Sequence, residues 1–154
     1  MTPHALLGFM RTCRYAVQAS VNREGAPQAA VVGIAVSDEF EIIFDTMKSS
    51  RKAVNLGMDP RIALVLGGQA PGDERTLQIE GLADLPEGPD LERARRLYLA
   101  KFPDGAERQV WAGAVFVRVR PQWLRFSDFN QDPPEIVHFS RKGLGLPGLE
   151  PDFK

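Results

Sequence analysis

Between Thr46 and Lys52 the chain places three hydroxyls (Thr46, Ser49, Ser50) and three cations (Lys48, Arg51, Lys52) within seven positions. Arg51 offers a planar fork of donors matched to phosphate oxygens, and Lys52 adds a compact charge. Thr46 and Ser50 supply hydroxyl donors. The segment joins an apolar run, "FEIIFDT", to a stretch of helical character ending near Met58, and the free amides of a helix start favour an anion. Charge-assisted hydrogen bonds contribute roughly 1.5–3 kcal/mol each, so three or four of them would anchor a phosphate. A solvated turn with a serine cap fits the same residues, and the segment by itself leaves both readings open.

Other reactive groups are sparse. The two histidines, His4 and His138, lie near opposite ends, and Cys13 is the sole cysteine. No pair has metal-ligand spacing, so no metal site is expected. There is no Gly-x-Ser-x-Gly elbow and no phosphate-binding glycine loop of the Walker type. The carboxylates are scattered, as on a solvated surface. An enzyme so poor in nucleophiles and bases needs a cofactor to carry its reaction. The net charge of -1 over 154 residues creates no field favouring nucleic acid or an anionic membrane, so neither is expected as a partner. A single cysteine suits a reducing compartment. With no secretory leader and no apolar run of about 18 residues, the expectation is a cytoplasmic, soluble protein.

These residues must be positioned by a chain of one-domain size, long enough to bury about 70% of its unfolded surface. Thr2 and Pro3 open a short helix to about Arg11. Alternation from Tyr15 to Val21 reads as a strand. "PQAAVVGIAVS" reads as a second strand, apolar enough to be covered on both faces, and "FEIIFDT" as a third. Ser49 or Ser50 caps the helix to Met58, with Ala53, Val54, Leu56 and Gly57 as its small or apolar face. A fourth strand spans Arg61 to Leu66. The fifth is "RTLQIEGLADL", with Leu77, Ile79 and, as a further candidate, Leu82 on one side. "EGPDLERARRLYLAKFP" is the longest helix, and "GAVFVRVRPQWLRFSDF" closes the core as a sixth strand. The Pro- and Gly-rich residues 131–154 read as an irregular arm beyond a domain of residues 1–130. Short antiparallel strands in this number roll into a barrel or sandwich.

The order of short motifs is informative. Gly25 with Pro27 opens a strand; Phe44-x-Thr46 ends the next; Ser50-Arg51-Lys52-Ala53 starts a helix; Asp59-Pro60-Arg61 opens the following strand. As an ordered set over roughly residues 14 to 126, this resembles the pyridoxamine 5'-phosphate oxidase-like family of FMN-binding split barrels. The resemblance implies a mainly β fold, a six-stranded antiparallel split β-barrel with flanking helices. It also implies a homodimer holding FMN in clefts at the interface. By position, Arg51 and Lys52 would hold the FMN phosphate with Ser50 nearby, and Asp45 and Thr46 would lie along the ribityl chain or ring edge. Ala30, Val31 and Val32 would run beside the isoalloxazine, and Gln78 would bond a ring nitrogen or oxygen.

The departures from the family pattern narrow the function. The oxidases carry an arginine early in the second strand and a lysine near its end, where this chain has Ala30 and Ala35. Their Arg-Leu-His-Asp-Arg run has no counterpart after Trp123. The expectation is therefore a short family member that passes hydride or electrons between a reduced nicotinamide and an unidentified small acceptor. The rivals are a non-enzymatic flavin- or haem-binding sensor or carrier, and a deazaflavin-dependent reductase on the same barrel. His138 is the residue a haem reading would use. Trp111 either lines the cleft or anchors the last strand.

Overall fold

In the computed structural model, which describes residues 1–148, eight strands form one antiparallel sheet that curls into a half-barrel. The strands are β1 (Tyr15–Val21), β2 (Pro27–Gly33), β3 (Ala35–Val36), β4 (Ile42–Met47), β5 (Arg61–Gly67), β6 (Arg75–Asp84), β7 (Ala114–Asp128) and β8 (Glu135–Ser140). The helices are α1 (Pro3–Thr12), α2 (Arg51–Met58), α3 (Gly88–Lys101) and the short α4 (Gly105–Arg108). The sheet order is β2-β1-β5-β6-β7-β4-β3, with β8 pairing the far half of β7. β7 is long enough to take β4 and β8 in succession along one edge while β6 occupies the other.

Two strands exceed the expected six. The long second strand breaks at Ile34, whose amide turns to the Arg14 carbonyl, so β3 separates from β2 and pairs with β4 instead. The arm expected to be irregular contains β8: the β-branched and aromatic run "EIVHFS" adds to β7 and buries Phe139 in the core. Of the predicted arm, Glu135–Ser140 thus join the barrel wall, and residues 149–154 lie outside the described residues.

Side-chain alternation sorts the core. One inward row crosses the sheet from Ala30 through Gln18, Leu64, Ile79 and Leu124 to Phe139. Along β6 the buried residues are Leu77, Ile79, Gly81 and Ala83, so Leu82 faces away from the core. The register shift between β6 and β7 falls on β7, where Gln122 is the extra residue. Gly81 meets the Arg120 carbonyl so closely that an added Cβ would lie 2.7 Å from it, which excludes any side chain there. α1, capped by the Thr2 hydroxyl accepting from the Ala5 amide, buries Leu6, Phe9 and Met10 in the barrel. α3 packs Ala94 and Tyr98 over Ala35, Ile43 and Phe116 on the other face of β3, β4 and β7.

β1 reverses the usual pattern. Ala16, Gln18 and Ser20 point inward, whereas Tyr15 and Val17 are exposed together with Val31 and Val65. The outward row Val31–Val17–Val65 is an uncovered apolar strip near the β2 edge.

Candidate functional site

The cationic corner is built by the turn from β4 into α2. Ser50, rather than Ser49, caps the helix, its Oγ accepting from the Ala53 amide and lying 2.9 Å from Thr46 Oγ1. The amides of Arg51 and Lys52, in the first turn, have no carbonyl four residues back inside the helix. The turn is fixed from outside by the Lys48 amide, which donates to the Gly113 carbonyl at 2.7 Å.

Arg51 is exposed, yet its position is held. Its Nε donates to Gln28 Oε1 at 3.2 Å, and that oxygen also accepts from Asn55 Nδ2 at 2.9 Å. Asn55 Nδ2 donates in addition to Ser20 Oγ at 3.1 Å. Asn55 is the buried residue of α2, and Leu56 of the expected apolar face packs against the core beside it, so a polar and an apolar side chain together seat this helix. Ser20 and Gln28 are cross-strand partners on β1 and β2. Strand pairing, a buried asparagine and a helix start together aim one guanidinium.

That guanidinium stands over a cavity of about 220 Å³ lined by Gln18, Ser20, Gln28, Ala30, Arg51 and Lys52, together with Ala29. No acid lines it. Among the described residues neither Arg51 nor Lys52 has a carboxylate within ion-pair distance. Gln18, at the cavity floor, is 1% exposed, and its Oε1 has no hydrogen-bond partner. A larger cavity, about 500 Å³, opens between α3 and the β3–β4 turn. There Arg11, Arg93 and Arg118 already pair with Asp38, Asp90 and Asp84, so its charges largely neutralise one another.

The predicted site residues divide into two groups. Ala30, Arg51 and Lys52 meet at the cavity, and the Thr46–Ser50 hydroxyl pair forms the turn leading into it. The others are dispersed. Val32 is buried in the core beside Ala16, and Val31 faces out on the apolar strip. Gln78 also faces out, in line with Val31, Val17 and Val65. It lies three strand spacings from Val31, roughly 14 Å. Asp45 points to the face opposite Thr46, where its carboxylate accepts from Tyr98 Oη at 2.7 Å and Arg108 Nε at 3.0 Å. Burial, and then the hydrogen bond to Asp45, push the Tyr98 phenol above its ordinary range. Trp111 is exposed beyond α4, and His138 is exposed on β8, its ring 5.6 Å from that of Trp123. Sequence reasoning missed Gln18, Ser20, Gln28 and Asn55; polar residues at inward positions of an otherwise apolar strand pair were the available signal.

Among the described residues, no cluster of three His, Cys, Asp or Glu side chains could hold a metal, and no helix is long and apolar enough to cross a membrane. The family described as pyridoxamine 5'-phosphate oxidase matches residues 2–128. The chain belongs to that family. A pyridoxine/pyridoxamine 5'-phosphate oxidase from Bordetella pertussis is 32% identical over 127 residues, 79% of this chain and 58% of that protein. The chain thus spans less than two thirds of the length of this curated relative. Two solved structures share the fold. A heme-binding protein from Mycobacterium smegmatis superposes with a TM-score of 0.77 at 18% identity, covering 88% of this chain and 56% of the other. A pyridoxamine 5'-phosphate oxidase-related, FMN-binding protein from Nostoc punctiforme superposes with a TM-score of 0.67 at 14% identity, covering 89% and 87%. Proteins of one fold therefore carry different ligands, and the fold alone assigns none to this chain.

Proposed function

We propose that this family member binds FMN and works as an oxidoreductase, passing hydride or electrons from a reduced nicotinamide to a small acceptor. The observation that carries the reading is the aimed, acid-free cation pair Arg51 and Lys52 over a cavity with an unpartnered polar floor. A phosphate monoester suits that donor set, because it needs charge-assisted donors and no neighbouring carboxylate. In this reading Arg51 and Lys52 bind the phosphate, the first-turn amides of α2 add their dipoles, and Ser50 and Thr46 stand by as hydroxyl donors. Bound there, the flavin supplies the redox chemistry that the chain's own side chains lack. The protein orients it and excludes water.

The cavity is below the ~300 Å³ at which small-molecule sites begin, so it accommodates one end of a nucleotide-sized ligand. The rest of the ligand would extend out of the cavity past the β2 edge, where a second copy of the chain would cover it together with the apolar strip on the outer face of β1, β2 and β5. We therefore propose a homodimer with the flavin at its interface, in the reducing compartment that a single cysteine suits. Pyridoxamine phosphate is not the proposed substrate. It needs a second phosphate site, and the two positions where the oxidases carry cations are Ala30, at the cavity, and Ala35, buried under α3.

One experiment tests the reading. The purified protein should show the two-band visible spectrum of a flavin, not the intense single band of haem or the single band of a deazaflavin. Its scattering mass should be about twice the 17.0 kDa of the chain. Replacing Arg51 and Lys52 together by alanine should strip the flavin while leaving the melting temperature of the apoprotein nearly unchanged, because neither side chain packs in the core. Full flavin occupancy in the double variant would refute the assignment, and pyridoxal phosphate formation by the loaded wild type would refute the substrate argument.

A further inference from the structure

Gln18 is anomalous in its surroundings. It sits mid-strand in β1, on the inward face, between Ala30 of β2 and Leu64 of β5. Its neutral polar neighbours at the cavity are engaged, since Asn55 binds both Ser20 and Gln28. The Gln18 carboxamide oxygen has no partner, although the residue is almost fully buried. An apolar residue of the same size would avoid that cost, as Leu64 and Ile79 do in the same row. A buried, unpaired polar group in a native structure calls for an explanation, and this one opens into the cavity whose rim carries Arg51 and Lys52.

A carboxamide both donates and accepts, so it complements a hydroxyl, which does the same. It has no charge to offer a phosphate, which the cations at the rim already suit. The order of groups from rim to floor is therefore cation, then neutral two-way hydrogen bonder. That order fits a phosphate ester whose attached chain bears hydroxyls.

We propose that Gln18 is a specificity-determining residue that reads the hydroxylated chain next to the phosphate held by Arg51 and Lys52. The assignment rests on the FMN reading and sharpens it: the chain is the ribityl segment, and the site rejects phosphates carried on plain alkyl chains.

The test is a binding cycle on the apoprotein. Wild type and Gln18→Leu are titrated with FMN and with a flavin alkyl phosphate whose five-carbon chain lacks hydroxyls, and the dissociation constants are read from flavin fluorescence. Wild type should prefer FMN by about tenfold, equivalent to about 1.4 kcal/mol. In Gln18→Leu that preference should fall to near parity through weaker FMN binding. The apo variant should melt at or above the wild-type temperature, because removing an unsatisfied buried polar group relieves a cost. An equal preference in both proteins, no preference in wild type, or a lower apo melting temperature would overturn the proposal. Failure of both flavins to bind wild type would instead overturn the FMN reading. Ribitol 5-phosphate against pentyl phosphate, followed by NMR shifts, then decides Gln18 alone: a preference for the polyol lost in Gln18→Leu supports it, and any other result ends it.

Discussion

Asp45 and Thr46 are neighbours on β4, and because strand side chains alternate they open onto two differently wired regions. On the Asp45 side, charge is matched to charge. Asp45 takes Tyr98 and Arg108, and Arg108 also reaches Asp104. Arg118 forks onto both oxygens of Asp84, reaches Asp90 and lies 4.0 Å from Glu41, while Arg120 shares Asp84. On the Thr46 side, polarity is left open: among the described residues two cations have no acid, and a buried glutamine has an unpaired oxygen. The first region joins α3 and α4 to the sheet. The second has the composition of a binding site. A count of charged residues does not distinguish them, and their state of pairing does.

The comparison breaks most visibly at Arg118. Replacing it by methionine keeps the stem but takes from Asp84 its two-pronged partner and from Asp90 one of its two arginines. The cost should be about 2 kcal/mol, below the range for a fully buried pair, since both carboxylates are partly exposed, Asp84 keeps Arg120 and Asp90 keeps Arg93. At this chain length that lowers the melting temperature by roughly 4 to 8 °C. Flavin content per folded chain, measured well below the transition, should stay at the wild-type level. Lost flavin with an unchanged melting temperature would show that the two regions are not separate.

Asn55 sharpens the contrast, because it is buried yet serves the open region. Asn55→Ala strands the Ser20 hydroxyl and leaves Gln28 held by Arg51 alone, at a cost of about 1 to 2 kcal/mol, and it loosens the aim of Arg51. Both readouts should move: a moderate fall in melting temperature and weaker FMN binding. The affinity loss should be smaller than that of the Arg51, Lys52 double alanine variant, because the charges remain. If stability falls and affinity does not, Gln28 and Asn55 hold the strand pair only, and the aiming role assigned to them is wrong.

The two regions also differ in how far the sequence revealed them. Local patterns found the strands from Tyr15 to Asp128 apart from the break at Ile34, found the threonine cap, and narrowed the serine cap to Ser49 or Ser50. Local reading failed where a distant partner decides. The Arg51–Gln28–Asn55–Ser20 chain joins three elements, and no spacing announces it. The face of β1 was hidden because period two fixes a strand without saying which side is wet. Here the apolar side faces out, and the polar side, with Gln18, faces in. β8 was lost to its Pro- and Gly-rich flanks, though "EIVHFS" has strand character. The opposed directions of Asp45 and Thr46 were readable from alternation alone, and motif matching obscured them.

The smallest expected effect lies in the paired region, at its most weakly paired carboxylate. Glu41 is half-buried, and burial raises its carboxyl above the ordinary glutamate range, more than the distant Arg118 lowers it. The native state therefore binds this proton more tightly than the unfolded chain does. By linkage, stability falls as pH rises through the window from the unfolded value, about 4.3, to the raised native one, and the loss persists above it. Glu41→Gln keeps the shape and removes the charge that burial penalises. The variant should melt slightly above wild type at pH 7, and the difference should shrink toward pH 4, where wild type carries the proton. Thermal melts of both proteins at the two pH values measure it. A variant less stable than wild type at pH 7 would mean that the 4.0 Å attraction to Arg118 outweighs burial, and that the paired region holds no uncompensated carboxylate at Glu41.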